Sequence, residues 1–148
     1  MRILVVGGKG TIGQAIVEKL KEHHELIIAG RTSGDVPVDL TSVESIETMF
    51  KKVGYVDAIV NASGTAKFQP IEEMTPEDNL VAVQSKLLGQ INLALIGQKY
   101  LRRDGSITLT TGIMKDDPIP GGASAAMVNG GVAAFVKSAA IDFTQGIR

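Results

Sequence analysis

The sequence contains no cysteine and no tryptophan, and it has only two tyrosines. The absence of cysteine excludes disulfide scaffolds, thiolate metal sites and cysteine nucleophiles. No group of histidine and acidic residues has the spacing of metal ligands, and no Ser/His/Asp arrangement of a nucleophilic hydrolase is apparent. We therefore expect no metal centre and no covalent catalysis of these kinds.

An excess of charge and long hydrophobic runs are also missing. The formal net charge is −1 and the basic residues are dispersed, so we expect no nucleic-acid partner and no anionic membrane surface. No uninterrupted apolar run reaches about 18 residues, the length that a membrane-spanning helix needs. The N-terminal MRILVVGG is typical of a strand rather than of a signal peptide. A soluble cytoplasmic protein is the expectation.

Glycine, in contrast, is abundant, at 17 of 148 residues. The length fits one domain over residues 1–148. Short apolar runs predict buried strands, and amphipathic periodicity predicts helices between them. The predicted strands are 3–6, 26–29, 56–60 and 106–109. The predicted helices begin at Thr11, at the capping-box pattern Thr41–Glu44, at Thr75-Pro76 and in the small-residue segment Gly121–Phe135, which extends to Phe143.

Three of these helices have a predicted apolar face. The helix after Thr11 has Ile12, Ile16 and Leu20 on its apolar face. The helix after Thr41 has Val43, Ile46, Phe50 and Val53 on its apolar face. The long helix after Thr75 has Leu80, Val83, Leu87, Ile91 and Leu95 on its apolar face. Strands that alternate with helices predict a parallel sheet covered on both faces, a three-layer α/β/α arrangement. Right-handed crossovers make this a doubly wound sheet, with its ligand crevice at the carboxyl ends of the strands.

A glycine-rich loop follows the first predicted strand. Gly8-Lys9-Gly10-Thr11-Ile12-Gly13 fits the G-x-G-x-x-G pattern and lies between strand and helix, where a dinucleotide's pyrophosphate would meet free N–H groups. A tight strand–helix turn with no ligand is the plainer alternative. A Walker A loop is excluded, because Lys9 is followed by glycine rather than by serine or threonine.

The end of the second strand indicates which dinucleotide is bound. NAD sites place Asp or Glu there to accept from the ribose hydroxyl, whereas this chain has Gly30-Arg31. Arg31 and Lys9 together suit a 2′-phosphate, which a guanidinium can bind through two hydrogen bonds. Arg31 as a solvated loop charge is the alternative. The pattern favours NADP over NAD.

With these motifs the chain resembles the short-chain dehydrogenase/reductase family over its whole length. The resemblance rests on VVGGKGTIG, VDLT at 38–41, VNASG at 60–64 and the final helix leading to TQGIR. It implies a Rossmann-like fold and adds further residues to the cofactor site. Gly7, Gly10 and Gly13 also fit the family's GxxGxxG form. The implied cofactor-binding set is Gly7, Gly8, Lys9, Gly10, Thr11, Ile12, Gly13, Arg31, Asp39, Leu40, Asn61, Ala62, Ser63 and Gly64.

The family's catalytic Tyr-x-x-x-Lys does not carry over to this chain. Alignment of the last helix places Ala125 at the tyrosine and Asn129 at the lysine. The family's serine falls at Thr111 or Gly112, and its helix asparagine falls near Lys86. Such a departure is typical of a divergent bacterial subgroup that keeps the nucleotide loop.

Three residues are candidates for the remaining chemistry, each with a plainer alternative. Lys86 could donate a proton or bind an anion, or be a solvated helix lysine. Thr111 could hydrogen-bond a ligand oxygen, or be structural. Asn129 could hold a ribose hydroxyl, or cap a buried backbone group.

Two functions are therefore kept. The first is an NADP-dependent oxidoreductase that acts on a small carbonyl or alcohol through a non-standard site. The second is a noncatalytic NADP(H)-binding sensor or scaffold subunit. The resemblance also implies a homodimer or homotetramer paired through helices near 76–101 and 123–143. In the family, the point where this chain ends at Arg148 leads into a further strand and the substrate-binding segment, so we expect the C-terminal strands and the substrate side to be missing.

Overall fold

The computed structural model describes residues 1–148 and contains one five-stranded parallel sheet flanked by helices. The strand order is β3-β2-β1-β4-β5. The strands are β1 Arg2–Val6, β2 Glu25–Gly30, β3 Val36–Pro37, β4 Val56–Asn61 and β5 Leu101–Thr108. The helices are α1 Thr11–Leu20, α2 Val43–Val53, α3 Pro76–Ala82, α4 Gly89–Gly97 and α5 Ala123–Asp142.

The predicted doubly wound α/β/α architecture is confirmed. Strand β1 pairs in parallel with β2 on one side and with β4 on the other. The chain thus leaves β1 in one direction and later returns to its opposite edge, which makes the carboxyl end of β1 the topological switch point. Ligands of open α/β sheets bind in the crevice outside such a point.

The alternation of side chains along β1 builds a core on each face of the sheet. Leu4 and Val6 face a large cluster that includes Ile46 and Phe50 of α2. Ile3 and Val5 face a smaller cluster, against which residues of α1 pack. The glycine loop between β1 and α1 is therefore anchored at both ends by buried elements.

The start of α2 differs in detail from the prediction. The N-cap is Ser42, whose side chain accepts from the Ser45 N–H, and not Thr41. Thr41 instead donates from its N–H and its hydroxyl to the Asp39 carboxylate. Val43, predicted on the buried face, is exposed at the first helical position.

The long helix after Thr75 is also more complex than predicted. Thr75 and Asp78 form a reciprocal capping box, but a π-helical turn at Val83–Leu88 separates α3 from α4. Leu80 and Leu95, which were predicted on one apolar face, are both exposed. The wide turn rotates later side chains relative to a regular 3.6-residue period, so one straight stripe is lost.

The start of one strand was predicted too late, and another strand was not predicted. Strand β5 begins at Leu101, five residues before the predicted Ser106, and its register against β4 shifts between Val56 and Ala58. The two-residue β3 was not predicted, since two residues carry no period.

Two helices are long and apolar enough to cross a membrane by length and composition alone, contrary to what uninterrupted apolar runs suggested. They are the continuous helical segment Pro76–Tyr100 and α5. In this fold both helices pack beside the sheet, and the buried share of the apolar stretch is 33% in the first helix and 28% in the second. Helices that cover the faces of a parallel sheet are apolar because they bury part of their surface against it.

Candidate functional site

The predicted nucleotide residues converge on one crevice at the carboxyl end of the sheet. Three chain segments meet there: the loop after β1, the end of β2 with Arg31, and the turn after β4. Two adjoining cavities occupy the crevice. One is lined by Gly7, Lys9, Gly10, Gly30, Arg31, Ser33, Ala62, Ser63, Gly64 and Thr65. The other is lined by Val6, Gly7, Gly30, Arg31, Val38, Leu40, Ser63, Thr65 and Ser85.

The glycines of the loop serve different purposes. Gly7 has φ +80°, and a Cβ there would lie 2.9 Å from the Ser63 Cβ, so this residue permits contact between the loop and the turn after β4. A Cβ on Gly13 would lie 2.1 Å from the Gly7 carbonyl oxygen. Gly13 therefore permits close packing of α1 on the loop. Gly8 packs against Ile28, so it serves the core rather than the crevice.

Gly10 is the glycine that faces open space. A Cβ on it would approach nothing nearer than the Gly7 carbonyl oxygen, at 3.4 Å. Gly10 is also the N-cap of α1 and offers no side-chain cap, and the first turn holds no acidic residue. The N–H groups and the positive end of the helix dipole are thus open to an anion. Lys9, Thr11 and Ile12 are exposed beside them.

Arg31 lies at the mouth of the crevice and contacts Asp39. Their closest atoms, Nη2 and Oδ1, are 3.6 Å apart, and the Arg31 side chain is 69% exposed. The pKa of Asp39 is lowered chiefly by hydrogen bonds from the N–H and hydroxyl of Thr41, and further by the Arg31 guanidinium. Asp39 therefore accepts mainly from Thr41, and most of the Arg31 donors remain free. Leu40 is buried beneath the cavity.

The turn after β4 is organised by Asn61. Its side chain is fully buried, and its amide nitrogen donates to the Ser63 carbonyl at 2.8 Å and to Gln90 Oε1 at 2.9 Å. The Asn61 side chain is therefore used to shape the turn and is not exposed to the crevice. Ala62, Ser63 and Gly64 are the residues of that turn which reach the cavity.

Lys86 lies in the π-helical turn, packed against the β4 turn. A Cβ on Gly64 would lie 3.0 Å from Lys86 Cγ. Burial lowers the pKa of the Lys86 ammonium from its ordinary value of 10.5. No carboxylate forms an ion pair with it. Lys86 is therefore a partly buried, unpaired cation beside the crevice, as a proton donor or anion ligand requires.

Asn129 is fully buried on α5, and neither its amide oxygen nor its amide nitrogen has a hydrogen-bond partner. It faces the end of β5, where a Cβ on Gly112 would lie 2.8 Å from Asn129 Nδ2. Thr111 adjoins Gly112 and is half-buried. Ala125, one helical turn before Asn129, is buried as well. An unpartnered buried amide is costly unless a ligand or water satisfies it.

The residues fit a phosphorylated dinucleotide by their chemistry. An open helix N-terminus and Lys9 suit a pyrophosphate, and Arg31 suits a further phosphate. The orphaned Asn129 amide supplies a donor and an acceptor farther along the sheet edge. No group of His, Asp and Glu could hold a metal ion.

The predicted cofactor-binding set omits several residues of this region. The cavity-lining residues outside that set are Val6, Gly30, Ser33, Val38, Thr65 and Ser85. Gln90 is fully buried and joins Asn61 to the end of β5. A glutamine four residues after Lys86 within an otherwise apolar helical segment was the available signal for Gln90.

Comparisons with known proteins agree with the fold. A family described as enoyl-(acyl carrier protein) reductase matches residues 8–148. Hydroxynaphthalene reductase arp2 of Aspergillus fumigatus is 28% identical, over 95% of this chain and 60% of the relative. A reductase-like Arp2 protein of Metarhizium majus is 26% identical. The chain spans about 60% of the length of these curated relatives.

Solved structures superpose closely. The protein lin1944 from Listeria innocua is 57% identical, with a TM-score of 0.99 over 100% of this chain and 74% of that chain. A small-chain dehydrogenase in complex with NADPH is 26% identical, with a TM-score of 0.89 over 96% of this chain and 64% of that chain. The relationship therefore holds in both sequence and backbone.

Proposed function

The chain belongs to the short-chain dehydrogenase/reductase superfamily, and from this premise we propose that it is an NADP(H)-dependent oxidoreductase with a non-standard active site. The observation that carries the proposal is the crevice in which the open N-terminus of α1 and the largely exposed Arg31 guanidinium converge. The structure of a related dehydrogenase with NADPH supports the choice of cofactor.

In this proposal the protein's own residues bind and orient the nucleotide. The N–H groups of Thr11 and Ile12, with Lys9, meet the pyrophosphate, and Arg31 meets the 2′-phosphate. Ala62, Ser63 and Gly64 border the nucleotide from the β4 side. Bound NADPH would supply a hydride for a small carbonyl compound.

Three residues are assigned to the remaining chemistry. Lys86 donates the proton that the carbonyl oxygen takes up as the alcohol forms, and regains one from solvent. Burial lowers the pKa of the Lys86 ammonium, and an ammonium with a lower pKa releases its proton more readily. The Thr111 hydroxyl donates to the substrate oxygen, and the Asn129 amide holds a ribose hydroxyl or the substrate. In this proposal Ala125 and Asn129 take the positions of the family's usual Tyr-x-x-x-Lys, as expected of a divergent bacterial subgroup.

A screen of small aldehydes and ketones tests this chemistry by following NADPH absorbance. We expect slow consumption with at least one carbonyl compound, reduced about 100-fold or more by Lys86→Ala because the proton donor is lost. The matched control is Lys137→Ala, an exposed lysine on α5. Unchanged turnover in Lys86→Ala would remove Lys86 from the mechanism.

A noncatalytic NADP(H) sensor or scaffold subunit is the second candidate. It is favoured by the sequence alignment that places Ala125 at the family's tyrosine, because alanine has no phenol to donate a proton; the Ala125 side chain is buried. Tight NADPH binding that alters oligomeric state, with no turnover of any carbonyl compound, would support the sensor over the enzyme.

We also propose a cytoplasmic homodimer or homotetramer without nucleic-acid or membrane partners. The near-neutral charge and the absence of cysteine support this setting. Exposed apolar side chains on α4 and α5 support self-association. Recovery of the protein in a membrane fraction would contradict it.

A further inference from the structure

Gln90 fills the gap where two neighbouring strands separate. The last residues paired between β4 and β5 are Val60 and Thr108, so the pairing of these two strands has ended at Asn61 and Thr110, although Asn61 still pairs with Val6 of β1. Gln90, in the second position of α4, is fully buried between these strand ends. A buried glutamine among apolar residues is costly unless its amide is fully hydrogen-bonded.

The Gln90 amide is in fact fully satisfied. Its oxygen accepts from Asn61 Nδ2 and from the Thr110 N–H, each at 2.9 Å. Its nitrogen donates to the Thr110 carbonyl at 2.9 Å and to the Lys86 carbonyl at 3.0 Å. One side chain therefore joins the end of β4, the end of β5 and the π-helical turn.

Each of these three contacts leads to a part of the crevice. Asn61 in turn holds the Ser63 carbonyl, and Ser63 touches Gly7 of the glycine loop. Thr110 precedes Thr111, the proposed ligand of the substrate oxygen. Lys86 is the proposed proton donor. Fully satisfied buried polar networks fix one arrangement of the groups that they join.

We propose that Gln90 is a positioning residue that holds the β4 turn, Thr111 and Lys86 in the arrangement that binds NADP(H). This inference rests on the proposed function, which supplies NADP(H) as the ligand. The positioning itself is argued from the four hydrogen bonds of the Gln90 amide. Gln90 touches no reacting atom in this scheme, since it lies entirely beneath the crevice.

The test compares NADPH affinity in two destabilised variants. Gln90→Met keeps the length of the side chain but leaves Asn61 Nδ2 and both Thr110 groups without this partner. The control is Met49→Ala, a fully buried residue of α2 in the core. Both variants lower the melting temperature, but only Gln90→Met should weaken NADPH binding, by about tenfold.

Two further measurements complete the experiment. Gln90→Glu keeps an acceptor for Asn61 and Thr110 and should bind with intermediate affinity; it replaces Gln90→Met in the test if the latter does not fold. Amide hydrogen exchange without nucleotide should be at least about tenfold faster at Ser63 and Thr110 in the Gln90 variants, after correction for global stability.

The outcomes separate the two proposals. Wild-type affinity in a folded Gln90→Met, or an equal loss in Met49→Ala, would overturn the positioning role. A wild-type protein that binds no NADPH would overturn the proposed function. In that case unchanged exchange at Ser63 and Thr110 in the Gln90 variants would overturn the positioning role independently.

Discussion

Arg31 is the residue on which cofactor choice depends in this account. Its guanidinium is largely exposed and only loosely paired with Asp39, so it can turn to a 2′-phosphate. We expect Arg31→Ala to weaken NADPH binding about tenfold or more while NADH affinity changes less than about twofold, because only NADPH carries that phosphate. Fluorescence titration with both nucleotides measures the ratio.

Arg102→Ala is the matched control, since Arg102 makes a comparable surface pair with Asp57 at the opposite end of the sheet. Arg31→Asp should go further and abolish or reverse the preference. An unchanged NADPH-to-NADH ratio in both Arg31 variants would make Arg31 a solvated loop charge.

Lys86 gives a prediction about pH and stability. Burial lowers its pKa below 10.5 in the folded protein, so the unfolded chain binds this proton more tightly. At neutral pH the charged side chain therefore opposes folding. This penalty diminishes as the pH rises through the lowered pKa and is gone above about 10.5, the unfolded value.

We therefore expect Lys86→Met to raise the melting temperature at pH 7 by a few degrees at most, with the gain shrinking toward alkaline pH. Lys137→Met, at an exposed position, should show no such pH-dependent difference. Scanning calorimetry or circular dichroism across pH 7 to about 10.5 measures both variants. A Lys86→Met variant that is less stable than wild type at pH 7 would contradict the burial argument.

At the same scale, spacing in the sequence selects the loop glycines but does not predict tertiary contacts. Gly7, Gly10 and Gly13 were selected by spacing, and their positions in the loop agree with it. Asn61 was predicted at the cofactor site, and its fully buried side chain donates to Gln90. No local pattern predicts a partner 29 residues away.

The glycine loop and α1 form the element whose geometry makes the nucleotide site. Gly13 and Gly10 should respond differently to the same substitution. A Cβ at Gly13 lies 2.1 Å from the Gly7 carbonyl oxygen, so Gly13→Ala forces α1 away from the loop. We expect a loss of about 1–3 kcal/mol in the free energy of unfolding, measured by urea denaturation.

Gly10→Ala should leave that free energy nearly unchanged, because a Cβ there meets only one atom, at 3.4 Å, and the φ of −77° suits alanine. It should still weaken NADPH binding, since the methyl group occupies the space that a phosphate would approach. Equal stability losses in the two variants would show that the loop is only architecture.

Element boundaries could be predicted where local signals agree. Thr75-Pro76 and Asp78 start α3 as expected, because capping is decided within four residues. The π-helical turn at Val83–Leu88 was not predicted, and it places Lys86. Its side chains follow the same apolar spacing as a regular helix, and the turn packs against α5 and the turn after β4, contacts that no local pattern predicts.

At the scale of the whole molecule, the π-helical turn, α4 and α5 leave apolar side chains uncovered. Leu88, Leu95, Met127 and Val136 are between 41% and 46% exposed. We expect self-association at micromolar concentration by sedimentation, and expect Leu95→Asp combined with Val136→Asp to give a monomer, because burial of the introduced carboxylates is costly.

The control for this prediction is Val43→Asp, which introduces the same charge at an exposed apolar position on α2. It should leave the sedimentation coefficient unchanged. A wild-type protein that is monomeric at these concentrations, or a Val43→Asp variant that dissociates equally, would contradict pairing through α4 and α5.

The overall architecture was the most predictable property, because strand–helix alternation and right-handed crossovers leave few topologies. The strand order and the crevice at β1 follow from that alternation. The proposed catalytic arrangement was less predictable, since Lys86, Thr111 and Asn129 lie in the π-helical turn, in the segment after β5 and on α5, and no local pattern relates such distant segments.

The central claim is that the crevice binds NADP(H), and a fluorescence titration of the purified protein with NADPH and NADH tests it most directly. The account predicts saturable binding of NADPH that is at least about tenfold tighter than that of NADH, since Arg31 supplies the discrimination. A folded protein that binds neither nucleotide would contradict the account.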